Sequence, residues 1–170
     1  MMDHIVHHSE QVCRVAVCLT ENLNNGGNRL NIELIRTAAL LHDITKTRSF
    51  TTQENHAQTG AELLEERGFT EVGHIVGQHV QLKAYFASKK PGEAEIVNYA
   101  DKRVLHDQIV SLTDRMTYIL ERYAEGPEGR QRIMDLWDRS QVLEKRLFSD
   151  LSFPPRALKG VVCTWDTQPH

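Results

Sequence analysis

The sequence predicts an all-α protein, a bundle of six to seven helices with an irregular C-terminal tail. Apolar residues recur at spacings of three and four along most of the 170-residue chain, whereas the alternation typical of strands is scarce. Segments rich in Gly, Asn or Pro separate the periodic stretches. With 40% hydrophobic and 25% charged residues, the chain has the composition of one globular domain with a core of its own.

The first half of the chain predicts four helices. The first carries the apolar stripe Val12, Val15, Ala16 and Leu19 and ends at the "NLNNGGN" segment, residues 22–28. The second begins at the capping residue Asn31, and its apolar stripe runs into His42. The third covers residues 54–68 and ends at a glycine suited to a left-handed cap. A short fourth helix is expected within residues 71–80.

The second half predicts three more helices and the tail. Apolar periodicity marks a fifth helix over residues 93–104, and a Ser to Asp capping box opens a sixth over residues 111–123. Pro127 begins a last long helix. Residues 149–170 show no helical stripe, so we expect an extended tail that packs on the core or on a partner. The predicted domain therefore covers residues 1–148.

Charge and cysteine content narrow the functional classes. The formal net charge is -3, with 20 basic and 23 acidic residues, so nucleic acid is not the expected main partner. Three cysteines without Cys-x-x-Cys spacing favour a reducing compartment and argue against a disulfide framework or a thiolate zinc site. No signal peptide is recognised, and no apolar run approaches the ~20 residues of a membrane span. We expect a cytoplasmic protein without a membrane partner.

The stretch "ALLHDITK", residues 39–46, carries the strongest chemical signal. An apolar helical run ends in His42 and Asp43, whose side chains diverge by about 100° and can share one ion only in a cleft between helices. Other helices must then complete a metal site. Alternatively, His42 caps the helix and Asp43 is a turn residue. The further candidate ligands lie near the ends of, or inside, the other helices: His8, His56, His79 and Asp101.

Three segments resemble the signatures of the HD phosphohydrolase superfamily: "HSEQVCRVA" (8–16), "LLHDITK" (40–46) and "NYADKRV" (98–104). The superfamily has an α-helical fold, and its metal ligands follow the order His, His-Asp, Asp. The resemblance implies that the core metal ligands are His8, His42, Asp43 and Asp101. His4 and His7 are alternatives to His8 if the register differs by a turn.

Two further segments, "ENHAQTGAELL" (54–64) and "IVGQHV" (75–80), resemble those of HD branches that hold two metals. These branches include the bacterial symmetrical diadenosine tetraphosphate hydrolases. The resemblance implies that His56 and His79 hold a second ion and that Asp43 bridges both. A set of imidazoles and carboxylates favours iron or manganese and also accepts cobalt, nickel, zinc or magnesium, with one or two ions per chain. His74 and His106 are excluded because each points away from its neighbouring ligand.

The chemistry expected of such a site is hydrolysis of a phosphate ester or anhydride, because bound divalent ions activate water and neutralise phosphoryl oxygens. We expect the substrate to be a nucleotide or another small phosphorylated metabolite. Asp43 and Lys46 are the predicted catalytic residues. The predicted substrate-binding residues are Lys46, Lys83, Lys102 and Arg103. The loop at residues 81–92 is either a lid over the substrate or a solvated basic loop.

Other functions remain open at this point. A non-catalytic HD domain would bind a nucleotide or a protein in a regulatory role, although the six candidate ligands favour an enzyme. A nucleic-acid phosphodiesterase is disfavoured by the acidic balance. A homodimer is a further alternative. The chain lacks the T-x-x-x-M-x-x-L-D stretch typical of the diadenosine tetraphosphate hydrolases, so the resemblance does not extend to their substrate.

Overall fold

Helices account for most of the chain that the computed structural model describes, which comprises residues 1–84 and 88–165. The described chain forms nine α-helices: α1 (Asp3–Asn25), α2 (Ile32–Leu41), α3 (Lys46–Thr52), α4 (His56–Glu66), α5 (Thr70–Val76), α6 (Glu93–Lys102), α7 (Leu112–Tyr123), α8 (Gly126–Ser149) and α9 (Leu158–Trp165). A 3-10 helix covers Pro155–Ala157. The prediction of an all-α protein is confirmed.

Helix α1 is the centre of the core and packs against α2 and α6. The four residues of its predicted stripe are all buried, as are Leu23, which continues the stripe, and Cys18, which lies beside it. Helix α2 begins where expected, because the Asn31 side chain accepts a hydrogen bond from the Leu34 amide at 3.1 Å.

In the described part of the chain, no helix combines the length and apolar character that a membrane crossing requires.

Helices α4 and α5 approach each other closely because of glycine. A Cβ atom on Gly73 would lie 2.8 Å from the Ala61 carbonyl oxygen, and one on Gly60 would lie 3.2 Å from a Val76 methyl group. Side chains at these positions would force the two helices apart. The close packing places His56, at the start of α4, opposite the end of α5.

The fifth predicted helix is shorter than expected. Helix α6 ends at Lys102, and the next residues form a two-stranded antiparallel hairpin of β1 (Val104–Leu105) and β2 (Gln108–Ile109). His106 lies in the hairpin turn with a positive φ of 57°, a left-handed conformation that suits the tight turn between the two strands. The structure also contains α3, which was not predicted because its sequence, KTRSFTT, carries no apolar stripe.

The C-terminal segment differs from the irregular tail that the sequence predicts. Its last described residues form the 3-10 helix and α9, and α9 packs on α1. Leu158 and Val162 lie one turn apart on α9 and are both buried. This apolar pair is present in the sequence, but two prolines and a glycine close to it obscure its period.

Candidate metal centre

The six predicted ligands converge at one end of the bundle. The histidine and aspartate pair follows α2 directly, and the remaining ligands come from four other segments around α1, α4, α5 and α6. Their ligand atoms form two groups, each within 4.8 Å: His8, His42 and Asp43 in the first, and Asp43, His56 and His79 in the second. Asp101 joins the first group, because its Oδ1 lies 3.0 Å from His8 Nε2 and 3.7 Å from His42 Nε2.

Asp43 belongs to both groups through different oxygen atoms. Its Oδ2 lies 3.6 Å from His42 Nε2, whereas its Oδ1 lies 3.2 Å from His56 Nε2 and 3.5 Å from His79 Nε2. The Nε2 atoms of His56 and His79 are 3.1 Å apart. Two atoms bound to one ion at about 2.1 Å are roughly 3.0 to 3.4 Å apart for octahedral or tetrahedral angles. The second group therefore has the spacing of a shared ion.

Hydrogen bonds on the far side of three rings set the tautomer that a metal needs. His42 and His79 each donate from Nδ1 to the carbonyl oxygen three residues earlier, at 2.7 and 2.8 Å. His8 donates from Nδ1 to the His106 carbonyl oxygen at 2.8 Å. With the proton on Nδ1, each Nε2 presents its lone pair to the cluster. The hairpin that the sequence did not predict thus supplies one of the three acceptors.

The cluster combines buried imidazoles with ionised carboxylates. His42 Nε2 is fully buried and makes no hydrogen bond within the described chain, and burial lowers the pKa of His42 to about 4 although Asp43 opposes the shift. Burial would raise the pKa of Asp43, but the close approach of the His56 and His79 rings, together with the positive charge of Lys46, holds that pKa far below its usual range. Neutral nitrogen and anionic oxygen donors together suit a divalent transition metal ion.

Lys46 lies beside the cluster, as predicted. Its Nζ is 3.6 Å from Asp43 Oδ1 and 3.2 Å from His56 Nε2. About a third of its side chain, 32%, is exposed. The ammonium group thus reaches the cluster and solvent at the same time.

Lys102 borders the cluster, but its ammonium group is bound to the protein. It is buried and donates to the carbonyl oxygens of His79, Val80 and Asn98 and to Asn98 Oδ1, at 2.8 to 3.3 Å. Burial lowers the pKa of Lys102 to about 8, so the group remains protonated and donating at neutral pH. Its hydrogen bonds fasten the segment that carries His79 to α6.

The structure does not bring Arg103 or Lys83 to the cluster. Arg103 is buried on another face, where it donates to the carbonyl oxygens of Val110 and Pro155 and pairs with Glu144 at 3.2 Å. The α-helical turn of about 100° per residue explains why it diverges from Asp101, two positions earlier. Lys83 borders a separate cavity of about 650 Å³ between α2, α5 and the start of α6.

That separate cavity contains no cluster of metal-ligating side chains among the described residues. The aromatic residues Tyr85 and Phe86 of the 81–92 loop lie outside the described residues, so the lid stays a prediction.

A cleft beside the cluster has two arms. The larger arm, about 590 Å³, lies between α7 and the first half of α8, and the smaller arm, about 280 Å³, lies between α1, α3 and α7. The residues that border both arms are His8, Asp43, Lys46, Arg115 and Tyr123. Sequence reasoning missed Arg115 and Tyr123, because no motif marks them and only the packing of α7 over α6 brings them to the site.

Comparisons with known proteins agree with the geometry. The HD domain family model matches residues 5–142, which contain all six ligands. An uncharacterized protein of Methanocaldococcus jannaschii, MJ0778, is 28% identical in an alignment over 156 residues that covers 84% of this chain and 91% of that protein. No solved structure matches the chain. Since the family model spans most of the sequence and includes the whole cluster, the chain belongs to the HD domain family.

Proposed function

We propose that the chain is a metal-dependent phosphohydrolase that cleaves a phosphate ester or anhydride of a nucleotide or another small phosphorylated metabolite. The observation that supports this function best is the position of Asp43. Its two carboxylate oxygens face two different sets of imidazole nitrogens, at 3.6 Å on one side and at 3.2 and 3.5 Å on the other. A carboxylate shared in this way is suited to bridge two ions, and paired ions are suited to phosphoryl transfer.

Each member of the cluster then has a role. His8, His42 and Asp101 would hold one ion, His56 and His79 would hold the other, and Asp43 would belong to both sites. Iron or manganese fits this donor set best, and cobalt, nickel, zinc and magnesium are alternatives. When bound, the ions supply Lewis acidity and a water molecule of lowered pKa. The carbonyl acceptors behind the rings keep the histidines in the orientation and tautomer that binding needs.

Lys46 supplies the mobile positive charge of the proposed site. Its ammonium group is close to Asp43 and partly exposed to solvent, so it can turn from the carboxylate towards a phosphoryl oxygen. A charge-assisted hydrogen bond to that oxygen would hold the substrate and offset negative charge during hydrolysis. Lys102 supports the site indirectly, since it fixes the carbonyl groups of His79 and of the residue that follows it.

Metal analysis combined with a substrate screen tests the proposed function. The protein is stripped with a chelator, reloaded with Mn²⁺ or Fe²⁺ without oxygen, and incubated with phosphate monoesters, diesters and nucleoside polyphosphates. We expect up to two ions per chain and release of phosphate or a phosphorylated product only after reloading. Tight binding of a nucleotide without turnover would instead favour a regulatory HD domain. Turnover that survives complete removal of metal would refute the metal-dependent reaction.

A further inference from the structure

Arg115 borders the metal cluster, and part of its guanidinium group is unpaired in the described chain. It lies on α7 and is half buried, and its Nε atom is fully buried without a hydrogen bond. The other arginine near α6, Arg103, shows the usual arrangement, with acceptors for each part of its guanidinium group. A buried donor without an acceptor is costly, so an unpaired Nε–H group beside a cleft points to a ligand that supplies the acceptor.

The surroundings of Arg115 specify the charge of that ligand. Arg115 borders both arms of the cleft at the point where they meet, together with Lys46 and the ligands His8 and Asp43. Burial would raise the pKa of Asp101, but the bond with His8 and the positive charges of His42 and Arg115 hold that pKa well below its usual range. A planar guanidinium group presents two parallel donors that match the oxygens of a phosphoryl group. The junction therefore offers two cations, Arg115 and Lys46, to an anion beside the metal ligands.

Away from the junction, the larger arm becomes largely apolar, whereas polar and apolar side chains line the smaller arm about equally. In the larger arm the side chains of Ile119, Ile133 and Leu136 form the wall, and in the smaller arm Ile5 and Leu105 contribute. The larger arm lies within the roughly 300 to 1,000 Å³ typical of small-molecule sites, and the smaller arm is close to the lower limit. A phosphate monoester has one organic group and would fill only one arm. A phosphate substituted on both sides would fill both.

We propose that Arg115 is a substrate-recognition residue that binds a phosphoryl group at the junction, and that the site selects phosphodiesters or phosphoanhydrides, with a group in each arm, over monoesters. This inference rests on the proposed function for its catalytic part. Its binding part needs only the cleft and the loaded metal.

Turnover provides the first test. With the Mn²⁺-loaded protein, kcat/KM is compared for bis(p-nitrophenyl) phosphate and p-nitrophenyl phosphate. We expect at least a tenfold preference for the diester. Arg115→Gln should lower kcat/KM for the diester by tenfold or more at unchanged metal content, and Arg115→Lys should restore part of the loss. Arg130→Gln is the matched control, since Arg130 is exposed on α8 and borders neither arm. Preference for the monoester would overturn the inference and leave the proposed function intact.

Binding provides a second test that needs no turnover. Calorimetry on the Mn²⁺-loaded protein compares α,β-methylene-ADP, which has groups on both sides of its α-phosphorus and a bridge that resists hydrolysis, with inorganic phosphate. We expect at least tenfold tighter binding of the analogue, and a tenfold or larger loss in Arg115→Gln. Equal affinity for the two probes, or an unchanged Arg115→Gln, would refute the inference. Loss of metal in Arg115→Gln would also refute it, because Arg115 would then position Asp101. Selective binding without hydrolysis of any phosphate would support the inference and refute the proposed function.

Discussion

Replacement of Lys46 by Met separates a substrate-binding cation from a surface lysine. The substitution keeps the length of the side chain and removes its charge. The fold should tolerate it, because the Lys46 side chain is 32% exposed and the Asp43 carboxylate, 3.6 Å away, keeps its contacts with three histidines. Any large effect on turnover would therefore come from the substrate.

The size of that effect follows from the position of the ammonium group beside the cluster. A phosphoryl oxygen about 4 Å from a unit charge gains roughly 4 kcal/mol at an effective dielectric constant near 20, and solvent on the exposed part of the side chain reduces this value. Charge-assisted hydrogen bonds contribute about 1.5 to 3 kcal/mol. We therefore expect Lys46→Met and Lys46→Ala to lower kcat/KM by about ten- to a thousandfold, or roughly 1.4 to 4 kcal/mol.

The assay is steady-state kinetics on the best phosphate substrate, with metal content measured on the same samples. Lys159→Met is the matched control, because Lys159 is exposed on α9, away from the cleft. Unchanged kinetics would refute the reasoning and make Lys46 a solvated cation at the start of α3. Loss of metal would show that Lys46 supports the ligands rather than the substrate.

Three further predictions concern stability and metal affinity. Arg103→Met should lower the free energy of unfolding in urea by about 2 to 4 kcal/mol, because it leaves buried acceptors unpaired, and kcat/KM of the folded protein should not change. Gly73→Ala should lower the free energy of unfolding by about 1 to 3 kcal/mol and weaken metal binding, since its Cβ would lie 2.8 Å from the Ala61 carbonyl oxygen. Gly160→Ala is the control, because a Cβ there meets no described atom within 4 Å. This control should be neutral or stabilising by up to about 1 kcal/mol. Burial opposes protonation of His8, but Asp101 raises the pKa of this ring above 6.5. Below that pKa a proton competes with the metal for His8. Metal affinity, measured by titration, should therefore fall by about tenfold per pH unit as pH decreases.

The helices and the ligand set were predictable because both depend on short-range patterns. An apolar stripe marks the buried face of a helix, and the His-Asp pair at the end of such a stripe can bind only in a cleft. The resemblance to HD signatures selected the remaining ligands, and the structure brings the same six together. Helix α9 could also have been found, because Leu158 and Val162 already have helical spacing.

The residues that border the cleft were harder to predict because their positions depend on tertiary packing. Lys102 and Arg103 both follow a metal ligand, but one is bound to carbonyl oxygens and the other points to α8 and the 3-10 helix. Proximity in sequence did not indicate which way either side chain would face. Arg115 has no motif around it, and it reaches the cleft only because α7 folds back over α6.

The most direct test of the central claim is the metal content and hydrolytic activity of Asp43→Ala measured on the same sample. Among the described residues, Asp43 is the one carboxylate shared by both groups of candidate ligands, so its removal should lower the metal content of the reloaded protein and abolish metal-dependent phosphate hydrolysis. Circular dichroism should show an unchanged helical content. A folded Asp43→Ala protein that hydrolyses the substrate at the wild-type rate with its full complement of metal would contradict the account.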